Sequence, residues 1–114
     1  MDNSKNELCY ALKLEEGFFR ERPIKKMRKL DNGSACLYVY QRLLLLVINT
    51  EGYLAYEGTE ENIFEQLALE LEENPDLIKD TIDFCIKNGL LTIDGDLYFF
   101  TRVPELIVDC ECGD

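Results

Sequence analysis

Near the C-terminus, Cys110-Glu111-Cys112-Gly113 sets two thiols at the spacing of half a metal knuckle. A closed zinc site needs four nitrogen or sulfur ligands, and the chain has no histidine and no second cysteine pair at a suitable spacing. No metal or other cofactor is expected, and the alternative to a metal shared between two chains is an inert tail. The 23 Asp and Glu fall on what read as helix exteriors, where nothing raises a carboxyl pKa for paired-acid hydrolysis. The sequence contains no P-loop, GxSxG, GxGxxG or Cys/His nucleophile pair. An enzyme is not expected.

What remains is non-covalent chemistry. Arg20, Arg22, Lys25, Lys26, Arg28 and Lys29 stand within ten residues that hold one acid, Glu21, and they are half of the chain's twelve cations. Such a cluster suits a phosphate backbone or a carboxylate-rich protein surface. Its bland role is to satisfy the carbonyl end of its own short helix and a neighbouring acidic helix. The counterpart runs from Glu57 to Glu73, with seven glutamates (57, 60, 61, 65, 70, 72 and 73) and no Lys or Arg. The net charge is −11, which repels phosphate at a distance, so free DNA is not the obvious partner.

The elements that position these charges follow from periodicity. Asn74 and Pro75 open a helix that Gly89 ends, with Leu77, Ile78, Ile82, Cys85 and Ile86 on one face. The period then changes to two in Leu90–Phe100, where Asp94-Gly95 suits a two-residue type I′ hairpin turn. Ahead of this lie three more helices. One spans Pro23–Leu30 with Ile24, Met27 and Leu30 inward, and a long one, apolar nearly all round, runs from Ser34 to about Asn49. The third runs from Glu60 to Glu72 behind a Thr59 cap, with Ile63, Phe64, Leu67, Leu69 and Leu71 as its apolar face. Leu8–Leu14 alternates as a strand that can lie beside the hairpin, Phe18-Phe19 belong in the core, and residues 51–58, bracketed by Gly52 and Gly58 and holding Tyr53, Leu54, Ala55 and Tyr56, read as a short strand or extended loop. The fold class is α+β, mostly α: a winged helix-turn-helix of four helices, with a small antiparallel sheet made of the C-terminal hairpin wing and the N-terminal strand.

At 114 residues this is one core. Residues 1–7 are a frayed N-terminus, 8–107 the winged-helix domain, and 108–114 a polar tail or the start of a linker. An odd number of cysteines, five, without a preceding signal sequence points to a reducing cytoplasm. The longest apolar run, around Leu43–Ile48, is far short of the roughly 20 residues that span a bilayer.

In a winged helix the second helix of the helix-turn-helix reads the major groove. Here that helix carries Asp76, Asp80 and Asp83 against Lys79 and Lys87, and the wing tip Asp94-Gly95-Asp96 is acidic too. Protein–protein assembly suits this surface better than DNA reading. A homo-oligomer is expected, with the Arg20–Lys29 cluster as its nucleic-acid or partner-binding segment. Glu65 and Glu70, together with Phe99, Leu106 and Ile107, are its candidate interface residues, because the C-terminus carries more apolar side chain than a hairpin can bury.

Leu12-Lys13-Leu14 with Phe18-Phe19, the Ile24-Lys25 helix, Gly33 opening the long apolar helix, Gly52-Tyr53-Leu54, and Phe84–Ile93 with its NGLLTI run together resemble the N-terminal domain of phage replisome organiser proteins. That family is akin to the winged-helix N-terminal domains of DnaD-like primosomal proteins of Gram-positive bacteria. The resemblance covers about residues 8–107. It implies a phage or prophage protein that assembles replication machinery, with an N-terminal domain that self-associates and further regions that contact DNA and a helicase or its loader. The alternative, of a different class, is a winged-helix DNA-binding regulator of transcription or of an origin.

Overall fold

A computed structural model describes residues 9–110 of the chain. Among the described residues, eleven α-helices and β-strands follow one another: β1 (Cys9–Leu12), α1 (Glu16–Arg20), α2 (Arg22–Arg28), α3 (Gly33–Leu46), β2 (Tyr53–Ala55), α4 (Ile63–Leu71), α5 (Pro75–Lys87), β3 (Leu91–Asp94), β4 (Leu97–Phe100), α6 (Val103–Leu106) and β5 (Ile107–Cys110), with a 3-10 turn, Ile48–Thr50, between α3 and β2. The fold is α+β and mostly helical, with two small antiparallel sheets. Residues 1–8 and 111–114, and with them the expected frayed N-terminus and Cys112, lie outside the described residues.

The helix that the sequence marks most clearly is built as expected. Asn74 Oδ1 accepts from the Asp76 N–H at 2.7 Å, and Pro75 occupies the first turn, where its missing donor costs nothing. Gly89, at φ +76°, lets the chain leave the helix, and the Leu90 N–H returns to the Cys85 carbonyl at 2.8 Å. Ile78, Thr81, Ile82 and Cys85 are buried against α3, whose Cys36, Val39, Tyr40, Leu43 and Leu44 form the other half of the core. Leu77 is half-buried, and Ile86 is exposed rather than inward.

Several expectations are corrected. The strand beside the hairpin is β2, not the N-terminal strand: the order is β2-β4-β3, with Tyr53 opposite Phe99 and Ala55 opposite Leu97. Gly52 makes this possible, because at φ +104° its carbonyl accepts from the Phe100 N–H at 2.8 Å, and a Cβ there would meet the Phe100 carbonyl oxygen at 2.9 Å. With that edge of β4 taken, β1 pairs instead with β5 in a separate ribbon, Leu12 opposite Ile107. The residues from Val108, expected as a tail, thus continue a strand as far as Cys110.

The hairpin turn is shifted by one residue. Asp94 pairs with Leu97, so the central residues are Gly95 and Asp96. Gly95 alone of the two has positive φ, +62°, which is the type II′ pattern and not type I′. Helix α4 starts at Ile63 behind Asn62, whose side chain accepts from the Glu65 N–H at 2.9 Å; Thr59 is not the cap. The preceding turn is held otherwise. Tyr56 donates to the Glu60 carbonyl, while the Gln66 carboxamide donates to the Ala55 carbonyl and accepts from the Glu57 N–H. Among the described residues there are six α-helices instead of four, because α1 and α6 are single short turns below the reach of periodicity. Phe18 of α1 is buried, edge-on to Phe19 and stacked with Tyr40 at 6.3 Å.

Candidate interaction surfaces

Helix α2 buries Ile24 and Met27, and the cations on and around it, Arg20 at the end of α1, Arg22, Lys25, Lys26, Arg28 and the capping Lys29, are all exposed. It is seated on α3 through Gly33, where an added Cβ would meet the Met27 and Arg28 carbonyl oxygens at 2.5 and 2.6 Å. Three of the cations, Lys25, Lys26 and Arg28, fall in its last turn, where the negative end of the helix dipole favours them. That much of the bland role holds. The other part, neutralisation by the acidic helix, does not: among the described residues, the only ion pair made by the six cations joins Arg20 to Glu16 of its own helix, at 3.5 Å.

Helix α2 packs on α3, and residues at its two ends share grooves with α5 and the loop after it. At one end Arg22 and Pro23 share a groove of about 430 Å³ with Asn88, Gly89 and Arg102. At the other, Leu30 and Asn32 line one of about 330 Å³ with Asp80, Phe84 and Lys87, and Asn32 donates to Asp80 at 3.2 Å. The exposed face of α5 is close to balanced. Lys79 binds Asp83 at 2.9 Å, a hydrogen bond that holds the lysine pKa above its ordinary value.

The acidic counterpart lies on and before α4, which packs against α5. Its glutamates are exposed or half-exposed, Glu65 and Glu70 among them, and among the described residues none of the seven from Glu57 to Glu73 forms an ion pair. Leu69, expected on the apolar face, points outward instead.

Of the apolar interface candidates, Phe99 is half-buried and stacks on Tyr53 at 4.7 Å across the outer face of the three-stranded sheet, with Leu97 exposed beside it. Ile107 is half-buried. Leu106 is a core residue, because the short turn of α6 directs it and Val103 inward, so it is removed from the surface list. Sequence reasoning missed the outward side of α3. Tyr38 and Leu45 are exposed on a helix read as buried, because a helix that is apolar all round offers no pattern to say which side is left uncovered.

The interior holds polar groups without a chemical partner. Burial pushes the Cys85 thiol up to about 12 and raises the Tyr40 phenol, whose hydroxyl finds no hydrogen-bond partner among the described residues. Arg102 is held by Glu21 and, at 3.0 Å, by Glu105, an ion-pair network that ties α6 to the start of α2. Among the described residues no three His, Cys, Asp or Glu come together as a metal site, and no helix is long and apolar enough to cross a membrane.

No curated protein and no solved structure matches the chain. The family described as the N-terminal phage replisome organiser matches residues 11–108, from within β1 to within β5. That span takes in both charged helices and the three-stranded sheet. The chain therefore belongs to the N-terminal phage replisome organiser family, whose role lies in replication.

Proposed function

We propose that this domain is the assembly module of a phage-type replisome organiser, a winged helix that self-associates and docks replication proteins such as a helicase or its loader. The connectivity α3-β2-α4-α5-β3-β4 with strand order β2-β4-β3 supports the winged-helix reading, α5 standing as the second helix of the helix-turn-helix and β3-β4 as the wing. One observation carries the assembly reading. The cations of α2, which packs on α3, and the glutamates of 57–73, on and before α4, which packs on α5, are both presented outward, and no ion pair among the described residues joins them. Opposed single-signed surfaces left uncompensated within one protomer steer encounter and set register between protomers. Light scattering at micromolar concentration tests this: association that weakens with salt is expected, and a strictly monomeric mass at low and moderate salt would end the reading.

A second reading is a DNA-binding regulator, and one observation favours it. Residues at the two ends of α2 share grooves with α5 and the loop after it, Arg22 and Pro23 with Asn88, and Leu30 and Asn32 with Asp80 and Lys87, so cations stand near the helix that a winged helix turns to the major groove. Against it stand Asp76, Asp80 and Asp83 on that helix and Asp94 and Asp96 at the wing tip. Titration with duplex and single-stranded DNA over a range of salt separates the two. Sequence-selective, tight binding by this domain favours the regulator, and weak binding without base preference favours the assembly module.

A further inference from the structure

The C-terminal end of α4 sets charge against its own electrostatics. The last carbonyls of a helix carry partial negative charge and favour cations. Helix α4 has no basic residue in its last turn, and Glu70, Glu72 and Glu73 stand there instead. Glu72 is also held at φ +56°, a left-handed conformation that glycine adopts without penalty and glutamate does not. Among the described residues the one cation bound at this end is Arg42 of α3, which donates to the Leu71 carbonyl at 2.7 Å while its guanidinium lies over the Tyr38 ring at 5.7 Å.

Beside this negative end runs the uncovered side of α3. Tyr38, Arg42 and Leu45 recur at spacings of four and three, so they form one stripe, with Tyr38 53% and Leu45 55% exposed. Leu45, Leu46, Arg42, Glu70 and Leu71 line a groove of about 340 Å³, and Leu69, next to Glu70, is 69% exposed. The exposed Tyr38 and Leu45, beside a helix end whose Glu70, Glu72 and Glu73 form no ion pair among the described residues, are complementary to a helix that brings apolar side chains among cations. The chain has such a helix in α2, with Lys25, Lys26, Arg28, Lys29 and the exposed Leu30. Its own α2 is seated at the other end of α3, against Gly33, and makes no ion pair with the α4 glutamates among the described residues.

We infer that the groove between α3 and the C-terminal end of α4 receives α2 of a second copy of this chain, so that protomers join head to tail. The inference rests on the self-association reading above and gives it a geometry. Donor and acceptor are different surfaces of one protomer, so the contact is heterologous, and it extends into a filament or closes into a ring rather than stopping at a two-fold pair.

Two surface variants test this. The donor variant carries Lys25→Ala, Lys26→Ala, Arg28→Ala and Lys29→Ala, and the acceptor variant carries Leu45→Ser and Glu70→Lys. All these side chains are exposed, and circular dichroism melts verify that both variants fold. Sedimentation velocity of each alone is expected to show self-association weakened at least about tenfold. Mixed in equal amounts, they are expected to form a complex capped at two chains, since the intact α2 of one meets the intact groove of the other and no second contact remains. Variants that associate like the parent, or a mixture that stays dissociated while the parent assembles, would overturn the head-to-tail geometry and leave self-association standing. A monomeric parent would remove both.

Discussion

The α3–α5 contact and the two helices that flank it divide the sequence's work. Between α3 and α5 nearly everything is buried and uncharged, with Cys36, Tyr40 and Leu43 on one side and Ile78, Ile82 and Cys85 on the other. On α2 and α4 the inner faces pack in the same way, but each outer face carries charge of a single sign that no ion pair among the described residues joins to the other. The difference separates two kinds of residue. The interior decides where the helices lie, and the flanking charge contributes little to that decision, which leaves it free for contacts with other molecules.

The sharpest way to break the division is at the one glycine that lets a flank touch the interior. Gly33→Ala puts a Cβ against two backbone carbonyls of α2, Met27 and Arg28, neither of which can move without shifting the helix. A loss of about 2–3 kcal/mol in urea unfolding is expected, together with displacement of α2 from α3. A loss below about 0.5 kcal/mol would mean that α2 is not seated as described.

A smaller effect reports on the interior alone. The Cys85 thiol and the Tyr40 phenol are both raised by burial, so the folded chain keeps protons that the unfolded chain releases near the ordinary values of 9.0 and 10.0. Their neutral forms impose no penalty below those values. Stability falls as pH rises through them, by up to about 1.4 kcal/mol per pH unit for each group. Tyr40→Phe is expected to reduce that alkaline slope above about pH 10. Near neutrality it costs little, because the hydroxyl it removes has no partner among the described residues. Urea melts at neutral and alkaline pH measure both, and an unchanged slope would show that Tyr40 is not shielded as described.

On the flank the sign reverses. Glu70→Lys and Glu73→Lys each place a cation at the negative end of α4, and each is expected to raise monomer stability by about 0.3–1 kcal/mol while weakening self-association. A variant that is more stable yet less associated separates a residue kept for contact from one kept for folding. Lower stability in both variants would mean that these glutamates have partners within the protomer.

What was legible in the sequence follows the same line. The caps and faces of α5 are local: Asn74, Pro75 and Gly89 act within a few residues of themselves, and they stand where the sequence puts them. Strand pairing is not local. Nothing in Leu8–Leu14 or in Tyr53–Ala55 says which of them reaches β4, and the structure assigned the place to the second through Gly52. The turn slipped by one residue because Gly95 supplies positive φ in either register. At the site, the exposure of the Arg20–Lys29 cations was readable from their spacing around Ile24 and Met27. The Tyr38–Leu45 stripe was not, since burial of an all-apolar helix depends on what its neighbours leave uncovered.

The smallest effect on stability belongs to the residues expected to matter most for contact. Replacing Lys25, Lys26, Arg28 and Lys29 by Ala removes favourable charge from the end of α2 but adds the best helix former, so the net change in stability is expected to stay within about 1 kcal/mol. Any DNA binding by this domain should nevertheless fall by a similar factor on unrelated sequences. Contacts to phosphate carry no base information, and each one lost flattens the slope of log affinity against log salt by about 0.9 on duplex DNA. Fluorescence anisotropy with two unrelated duplexes at several salt concentrations reads both quantities. Parent and variant binding alike would remove α2 as the nucleic-acid surface, and a loss confined to one duplex would point to base reading by α5, since the cations of α2 would then be supporting a specific contact. Retained stability with lost binding is the combination that the division between interior and flank requires: charge that the fold does not use for itself can be removed without the fold registering it.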